Sequence, residues 1–169
     1  MIALTAAQIA EAVSGTLSAT LDPATVLVHV TPDSREVTAE GTLYVAKPGE
    51  RADGHDFIDT ALGAGAAAVL AERATHAPDG AAHPALIVED AVLAMGALAR
   101  AVVRRVREHS PTTVIGITGS AGKTTTKDLL AALMATQGPT VAPVGSYNGE
   151  VGVPLTVFRA ELDTRFLLA

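Results

Sequence analysis

A glycine-rich loop between a predicted strand and a predicted helix limits what this chain can fold into more than any other feature. Most residues from Thr112 to Ile117 are β-branched and none is charged, which predicts a buried strand. After the loop, leucines and a methionine recur at helical spacing over 129–134. Backbone N–H groups at such a turn, together with the start of the helix, are suited to bind phosphate. The stretch therefore predicts an α/β fold with a phosphate site.

The loop also supplies side chains that a nucleotide needs. Lys123 would reach the outer phosphates, and the Thr124 hydroxyl would complete a Mg²⁺ site. The general phosphate-loop pattern has glycine at 117, where this chain has Ile117, so a glycine-rich turn with an exposed lysine is the alternative. The flanking strand and helix favour the phosphate loop. The predicted nucleotide-binding residues are Gly119, Ser120, Ala121, Gly122, Lys123, Thr124 and Thr125.

Composition narrows the class of protein. The net charge of −6 argues against a nucleic-acid partner, because nucleic-acid binders normally carry a basic patch. Hydrophobic residues make up 49 % of the chain but aromatic residues only 3 %, which predicts a core of small aliphatic side chains. Without cysteine there is no disulfide or thiolate metal site. We expect a cytoplasmic monomer without a membrane span.

The remaining pattern alternates helices and strands. Thr5 and Gln8 form a predicted capping box for a first helix, which Gly15 would end in the left-handed conformation. Asp90 is a predicted N-cap of a long helix, and Pro154 is predicted in the first turn of the last one. A polar loop is predicted at 72–84. Strands are predicted at 26–30, 43–46, 67–70, 85–88, 140–144 and 165–169.

Two polar segments follow predicted strands, where ligands of α/β sheets commonly bind. The first is Asp33-Ser34-Arg35, whose arginine suits a phosphate or a base edge. The second begins with Asp53 and contains His55. Taken alone, the first is more typical of a solvated turn, and His55 is more typical of a helix start than of a ligand or a base.

The break at His109-Ser110-Pro111 predicts a domain boundary, with one domain over 1–110 and the start of a second over 111–169. The second part is short for a complete phosphate-loop domain. The strand at its end would lack neighbours. We therefore expect an N-terminal fragment of a longer enzyme, with the rest of the second domain and any C-terminal domain absent.

These motifs together resemble the Mur ligase family. The loop at 118–125 matches that family's Thr-Gly-x-x-Gly-Lys-[Ser/Thr]-[Ser/Thr] pattern, which does not require glycine at 117. Asp33-Ser34-Arg35, the Asp-Gly-His-Asp-Phe-Ile segment at 53–58, and Asn148 with Gly-Val-Pro-Leu-Thr at 152–156 extend the resemblance over essentially the whole chain. The loop and the last segment are most similar to the MurF type. The MurE type, which shares the two earlier segments, is the nearest alternative.

The resemblance implies an N-terminal α/β domain for the uridine end of the substrate, followed by a parallel-sheet, Rossmann-like ATPase domain with a phosphate loop. It also implies ATP-dependent amide formation through an acyl phosphate, with Mg²⁺ as cofactor, and D-alanyl-D-alanine and UDP-N-acetylmuramoyl-tripeptide as substrates. Lys123 would be the catalytic residue, because it would stabilise charge on the transferring phosphoryl group. The substrate-binding residues would be Ser34, Arg35, Asp53, His55 and Asn148.

By the same resemblance, the magnesium-binding glutamate, the carbamoylated lysine and the adenine contacts would lie beyond Ala169, so we expect the fragment itself not to ligate. Two other classes stay open: a different phosphate-loop phosphotransferase, such as a small-molecule kinase, and a nucleotide-binding module that does not catalyse.

Overall fold

A computed structural model describes residues 1–37, 40–49, 52–145 and 149–169. They contain ten strands and five α-helices. The strands are β1 Leu4–Thr5, β2 Thr16–Leu17, β3 Val26–Leu27, β4 His29–Thr31, β5 Thr42–Ala46, β6 Ala66–Ala71, β7 Ala85–Ile87, β8 Thr113–Ile115, β9 Thr140–Val141 and β10 Phe166–Leu168. The helices are α1 Ala6–Val13, α2 Ile58–Gly63, α3 Ala91–His109, α4 Lys123–Ala135 and α5 Gly149–Val157.

The chain divides into two compact units, residues 3–98 and residues 1–2 with 99–169. The division falls inside α3, whereas the predicted domain boundary after residue 110 lies at the C-terminal end of that helix. The assignment of 1–110 and 111–169 to separate functional domains stays a prediction. The predicted α/β class is confirmed by both units.

A five-stranded sheet with the order β2-β7-β6-β5-β4 forms the centre of the first unit. Strands β4 to β7 run parallel, and β2 pairs antiparallel with β7 at the edge. Every residue of β5 is buried, as expected for a parallel strand that is covered on both faces. The parallel arrangement brings the carboxyl ends of β4, β5 and β6 to one edge of the sheet.

The core of this unit consists of small side chains, as the composition predicts. One buried cluster joins alanines and valines of β5 and β6 to Ile58 and Ala61 of α2, and Tyr44 is its aromatic member. Tyr44 is 1 % exposed, and its hydroxyl donates to the carbonyl oxygen of Gly54 at 2.9 Å. That bond attaches the loop after β5 to the sheet, because a buried hydroxyl needs a hydrogen-bond partner.

The predicted ends of two elements in this unit are wrong. The expected strand at 26–30 is split, because β3 pairs antiparallel with β1 whereas β4 joins the parallel sheet. Ser14, and not Gly15, ends α1 in the left-handed conformation, with φ 54°. Gly15 instead allows a close approach, since an added Cβ would lie 3.1 Å from Val88 Cγ1 and 3.2 Å from the Ile87 carbonyl oxygen. The capping box of Thr5 and Gln8 is confirmed.

The second unit has a three-stranded parallel sheet with the order β8-β10-β9. The predicted order of strand, loop and helix is confirmed as β8, residues 116–122 and α4. The predicted burial of the strand is wrong, because Thr113 and Val114 are exposed: in the described residues β8 lies at the edge of the sheet and pairs only with β10. The loop that follows β8 and the loop that follows β9 therefore leave the sheet at the same edge, on either side of the end of β10. Among the helices in the described ranges, none combines the length and the hydrophobicity that a membrane crossing needs.

Helix α5 follows β9, and its predicted start is wrong. It begins at Gly149, so Pro154 lies inside the helix rather than in its first turn. Proline has no N–H to donate to the carbonyl of Glu150, and its ring crowds that turn. The next helical turn is bonded normally, because the Phe158 N–H donates to the Pro154 carbonyl oxygen at 2.9 Å.

Candidate functional site

The loop between β8 and α4 is exposed and contains two glycines with positive φ. Gly122 precedes the helix in the left-handed conformation, with φ 77°, which glycine adopts without strain. An added Cβ at Gly122 would meet no protein atom within 4 Å, and at Gly119 it would meet only the Ala121 carbonyl oxygen, at 3.7 Å. The glycines therefore keep open space clear on the outside of the loop. Residues 118–126 are all exposed, so a ligand can reach the first amides of α4.

Lys123 lies across this loop. Its Nζ donates to the carbonyl oxygen of Gly119 at 2.5 Å, and the side chain is otherwise on the surface. An ammonium group has three donors and rotates freely on a flexible stem, so it can exchange this carbonyl for phosphate oxygens without a change in the backbone. Lys123 is therefore already placed next to the space that the glycines leave open.

Thr124 is the residue of this loop that could bind Mg²⁺. Thr124 is an exposed residue in the first turn of α4, directly after Lys123. Mg²⁺ bound to a nucleotide commonly takes one or two ligands from the protein and the rest from phosphate oxygens and water. A single hydroxyl oxygen at this position fits that donor set. In the described ranges no group of three or more histidine or carboxylate side chains is placed to hold a metal.

In the first unit, four of the five predicted substrate residues lie at the carboxyl edge of the sheet. Asp33, Ser34 and Arg35 follow β4, with Ser34 and Arg35 in a short 3-10 helix. The Asp33 carboxylate accepts from the Arg35 backbone N–H at 3.0 Å and from its guanidinium at 2.9 and 2.6 Å. The arginine side chain is 86 % exposed. This charged pair therefore presents the Arg35 guanidinium to solvent.

Asp53 and His55 follow the neighbouring strand, β5, and form a second network. Asp53 accepts from the His55 ring Nδ1 at 2.6 Å and from the guanidinium of Arg73 at 2.8 Å. On its other side, the His55 Nε2 accepts from the backbone N–H of Glu72 at 3.1 Å. A backbone amide can only donate, so Nδ1 is the nitrogen that bears the proton. Both ring nitrogens of the buried His55 are thus used inside the protein.

Arg73 is a residue of this network that the sequence did not single out. It lies in the segment predicted only as a polar loop, directly after β6, and its side chain is 54 % exposed. Its position after the apolar run of β6 was a signal of the same kind as that of Arg35 after β4. Each of three adjacent parallel strands is therefore followed by part of this polar set. Asp33 and Arg35 follow β4, Asp53 and His55 follow β5, and Arg73 follows β6.

These pairings shift the acidity of the two carboxyl groups. Hydrogen bonds from Arg35 lower the pKa of Asp33 to about 2. The hydrogen bond from Arg73, followed by those from His55, lowers the pKa of Asp53 below its usual range. Both groups therefore stay ionised down to strongly acidic pH and keep the two guanidinium groups in place.

Comparison with known families agrees with this arrangement. Residues 27–121 match the model of the Mur ligase family, catalytic domain, and residues 117–168 match that of the Mur ligase middle domain. The chain belongs to the Mur ligase family. The two matches overlap in the phosphate loop, so the family pattern includes both that loop and the strand ends of the first unit.

Individual Mur ligases align over nearly the whole chain. The UDP-N-acetylmuramoyl-tripeptide–D-alanyl-D-alanine ligase of Mycobacterium bovis is 44 % identical, over 99 % of this chain and 36 % of its own length. A crystal structure of MurF from Acinetobacter baumannii superimposes with a TM-score of 0.86 at 30 % identity, over 98 % of this chain and 35 % of that one. MurF from Thermotoga maritima in complex with ADP gives 0.66 at 36 % identity, over 83 % and 31 %. The chain thus spans about a third of the length of the curated relatives it matches.

Within this Mur ligase chain, the structure groups the predicted residues into two sets. The nucleotide residues share the loop before α4 in the second unit, and Ser34, Arg35, Asp53 and His55 share the carboxyl edge of the sheet in the first. Asn148, the remaining predicted substrate residue, lies outside the described residues.

The lowered pKa of Asp53 predicts a pH dependence of stability. A carboxyl group whose folded pKa is lowered stabilises the fold above its unfolded pKa, and this contribution is lost as the pH falls through the folded pKa. We therefore expect the melting temperature of the 169-residue chain to fall between pH 4 and pH 2, and to fall less steeply in Asp53→Asn. Thermal melts at pH 6, 4, 3 and 2 measure this, with Asp163→Asn, which changes an exposed carboxylate, as the control. Parallel curves for wild type and Asp53→Asn would contradict the assigned role of Asp53.

Proposed function

We propose that this chain forms the sugar-nucleotide domain and the phosphate loop of an ATP-dependent ligase that joins D-alanyl-D-alanine to UDP-N-acetylmuramoyl-tripeptide, a step of peptidoglycan precursor synthesis. The observation that carries the proposal is the exposed loop before α4, with Gly122 in the left-handed conformation and Lys123 across it. The names of the relatives that align over nearly the whole chain support the choice of substrates. We also propose that the protein is cytoplasmic and monomeric.

The loop residues would act on the nucleotide. The amides of 119–125 and the Lys123 ammonium would bind the β- and γ-phosphates of ATP and stabilise charge on the phosphoryl group as it moves to the tripeptide carboxylate. The Thr124 hydroxyl would hold Mg²⁺, which supplies Lewis-acid neutralisation of the phosphate oxygens when bound. The amine of D-alanyl-D-alanine would then attack the acyl phosphate and release phosphate, forming the amide bond.

The residues at the carboxyl edge of the first sheet would bind the uridine diphosphate end of the other substrate. Ser34, Arg35 and Arg73 have side chains that solvent reaches, and two guanidinium groups suit a diphosphate. Asp53 would orient Arg73. His55, whose ring nitrogens both have partners within the protein, would hold Asp53 in place rather than bind the ligand itself. Asn148 is proposed to lie near the ATP and substrate channel.

A ligation assay tests the proposal. A polypeptide of the relatives' full length that contains this chain is incubated with Mg²⁺, ATP, D-alanyl-D-alanine and UDP-N-acetylmuramoyl-tripeptide. We expect phosphate release that requires both acceptor and donor, and a product whose mass equals that of the joined substrates. The 169-residue chain alone is expected to give no product.

Three results would contradict the proposal. Amide formation with a free amino acid and the UDP-linked dipeptide would indicate the MurE type. Transfer of phosphate to a small molecule without an amide product would indicate a kinase. Binding of ATP with no turnover under any substrate combination would indicate a module that does not catalyse.

A further inference from the structure

A second lysine of α4 has an environment unlike that of Lys123. The Lys127 side chain is only 11 % exposed. Its Nζ donates to the carbonyl oxygens of Pro143 and Gly145, each at 3.0 Å, and to Asp128 Oδ1 at 2.9 Å. An ammonium group has three hydrogens, and here each has an acceptor. Burying a charge is costly unless its hydrogen bonds are satisfied, and these three acceptors satisfy those of Lys127.

The two lysines are four residues apart and therefore lie on the same face of α4, one turn from each other. Lys123 is exposed and bonds to a carbonyl of its own loop. Lys127 instead bonds to a different segment, 16 and 18 residues further along the chain. A ligand could attract Lys123 at little cost, whereas Lys127 would have to give up three hydrogen bonds.

The segment that Lys127 holds is residues 142–145, the described part of the chain between β9 and α5. A second cation reaches the same loop, because the Arg159 guanidinium donates to the Ala142 carbonyl oxygen at 2.8 Å. Three of the four carbonyl groups in residues 142–145 thus accept from side-chain cations. Gly145, the last of these four residues, is in the left-handed conformation with φ 58°. The path of the backbone here is fixed by side chains from outside the loop rather than by strand pairing.

The position of this loop relates it to the phosphate loop. Strands β8 and β9 both pair parallel with β10, so the loops that follow them flank the carboxyl end of β10 at one edge of the sheet. In parallel sheets, ligands bind in the crevice outside the carboxyl ends of the strands. If ATP is held by the first loop, the second forms the opposite wall of the space in which an acceptor must approach the γ-phosphate.

We propose that Lys127 is a positioning residue for phosphoryl transfer, which fixes the loop at 142–145 against α4 and thereby sets the wall along which a carboxylate substrate approaches the nucleotide. The inference rests on the proposed function of the phosphate loop. In this proposal Lys127 does not contact phosphate. In-line transfer depends on the placement of the reacting groups, so the loss of this attachment affects turnover more than the binding of ATP.

The test compares Lys127→Met with wild type in two measurements. Hydrogen exchange of the amides in 142–145 is followed on the 169-residue chain without nucleotide, and steady-state kinetics are measured on the full-length enzyme. We expect faster exchange in 142–145, and a kcat lower by about 10- to 100-fold with KM for ATP nearly unchanged. Lys127→Arg keeps a charge and donors for both carbonyl groups, so it is expected to recover part of kcat. Arg104→Met, which removes an exposed cation of α3, is the control.

The possible outcomes separate the roles of Lys127. A rise in KM for ATP with unchanged exchange in 142–145 would show a phosphate contact and overturn the proposal. Unchanged exchange and unchanged kcat would overturn it as well. If Lys127→Met does not fold, Lys127→Arg and Asp128→Asn are judged by the same two measurements, and wild-type exchange and kcat in both would overturn it. Absence of ATP-dependent turnover in the wild type would refute the proposed function, while the exchange measurement still tests the attachment of the loop.

Discussion

Replacement of Lys123 by methionine is expected to lower the turnover of a full-length ligase that contains this chain by about a hundredfold to a thousandfold, the usual effect of removing one charge-stabilising donor from a reacting centre. In the structure its ammonium bonds to the Gly119 carbonyl oxygen, next to the open face of the loop. Methionine keeps the length of the side chain but removes its charge and its donors. The measurement is phosphate release with saturating substrates.

The fold should not change in this variant, because Lys123 is exposed and its one described bond is to its own loop. The melting temperature of Lys123→Met is therefore expected to match that of wild type and of the control Arg104→Met. Turnover that survives in Lys123→Met would remove the basis for an ATP-binding role of this loop. Loss of turnover together with a lower melting temperature would show that the lysine is structural instead.

Replacement of Gly54 by alanine is expected to cost about 2 to 3 kcal/mol in the free energy of unfolding, at the upper end of what overpacking usually costs. An added Cβ would lie 2.7 Å from the Lys47 carbonyl oxygen and 2.8 Å from the Lys47 nitrogen. Both are backbone atoms of the chain just after β5, so no side chain can rotate away to make room. The same change would strain the bond from the Gly54 N–H to the Lys47 carbonyl oxygen, now 2.9 Å.

Gly63→Ala is the matched control for this variant. Gly63 is the last residue of α2, and an added Cβ there would meet nothing within 4 Å. Alanine at such a site is expected to be neutral or to stabilise by about 0.5 to 1 kcal/mol, because it restricts the unfolded chain. Urea unfolding of the 169-residue chain measures both. Equal stabilities for Gly54→Ala and Gly63→Ala would contradict the close approach seen at Gly54.

The sequence was most informative where the pattern is local. Hydrophobic periodicity and the glycines correctly predicted that β8 is a strand and α4 a helix, although β8 is not buried as predicted. The Asp90 cap of α3 is confirmed by its bonds to the N–H groups of Val92 and Leu93, both at 2.8 Å. Prediction from the sequence failed where contacts between distant segments determine the structure. The run at 26–30 has one uniform pattern, yet its two halves pair in different sheets. Likewise, nothing local shows that the helix containing Pro154 begins five residues before it.

The candidate site shows the same limit. The strand-end segments at 33–35 and 53–55 could be chosen from the sequence, because turn residues after apolar runs are visible there. The residues that bond to these segments could not be chosen from the sequence. Arg73 bonds to a carboxylate 20 residues earlier in the chain, and Lys127 bonds to carbonyl groups 16 and 18 residues later. Such pairs depend on which strands are neighbours, and spacing along the chain does not contain that information.

The order of strands in the second sheet has a consequence for how this part of the protein is made. Thr113 of β8 pairs with Phe166 of β10, so in the described residues β8 gains its partner only 53 positions further along the chain. During translation, β8 therefore cannot pair with β10 until β10 has left the ribosome. The first unit, whose strands β4 to β7 lie between residues 29 and 87, can assemble earlier. Closing so long a loop is entropically costly, which favours late formation of the β8–α4 region during biosynthesis.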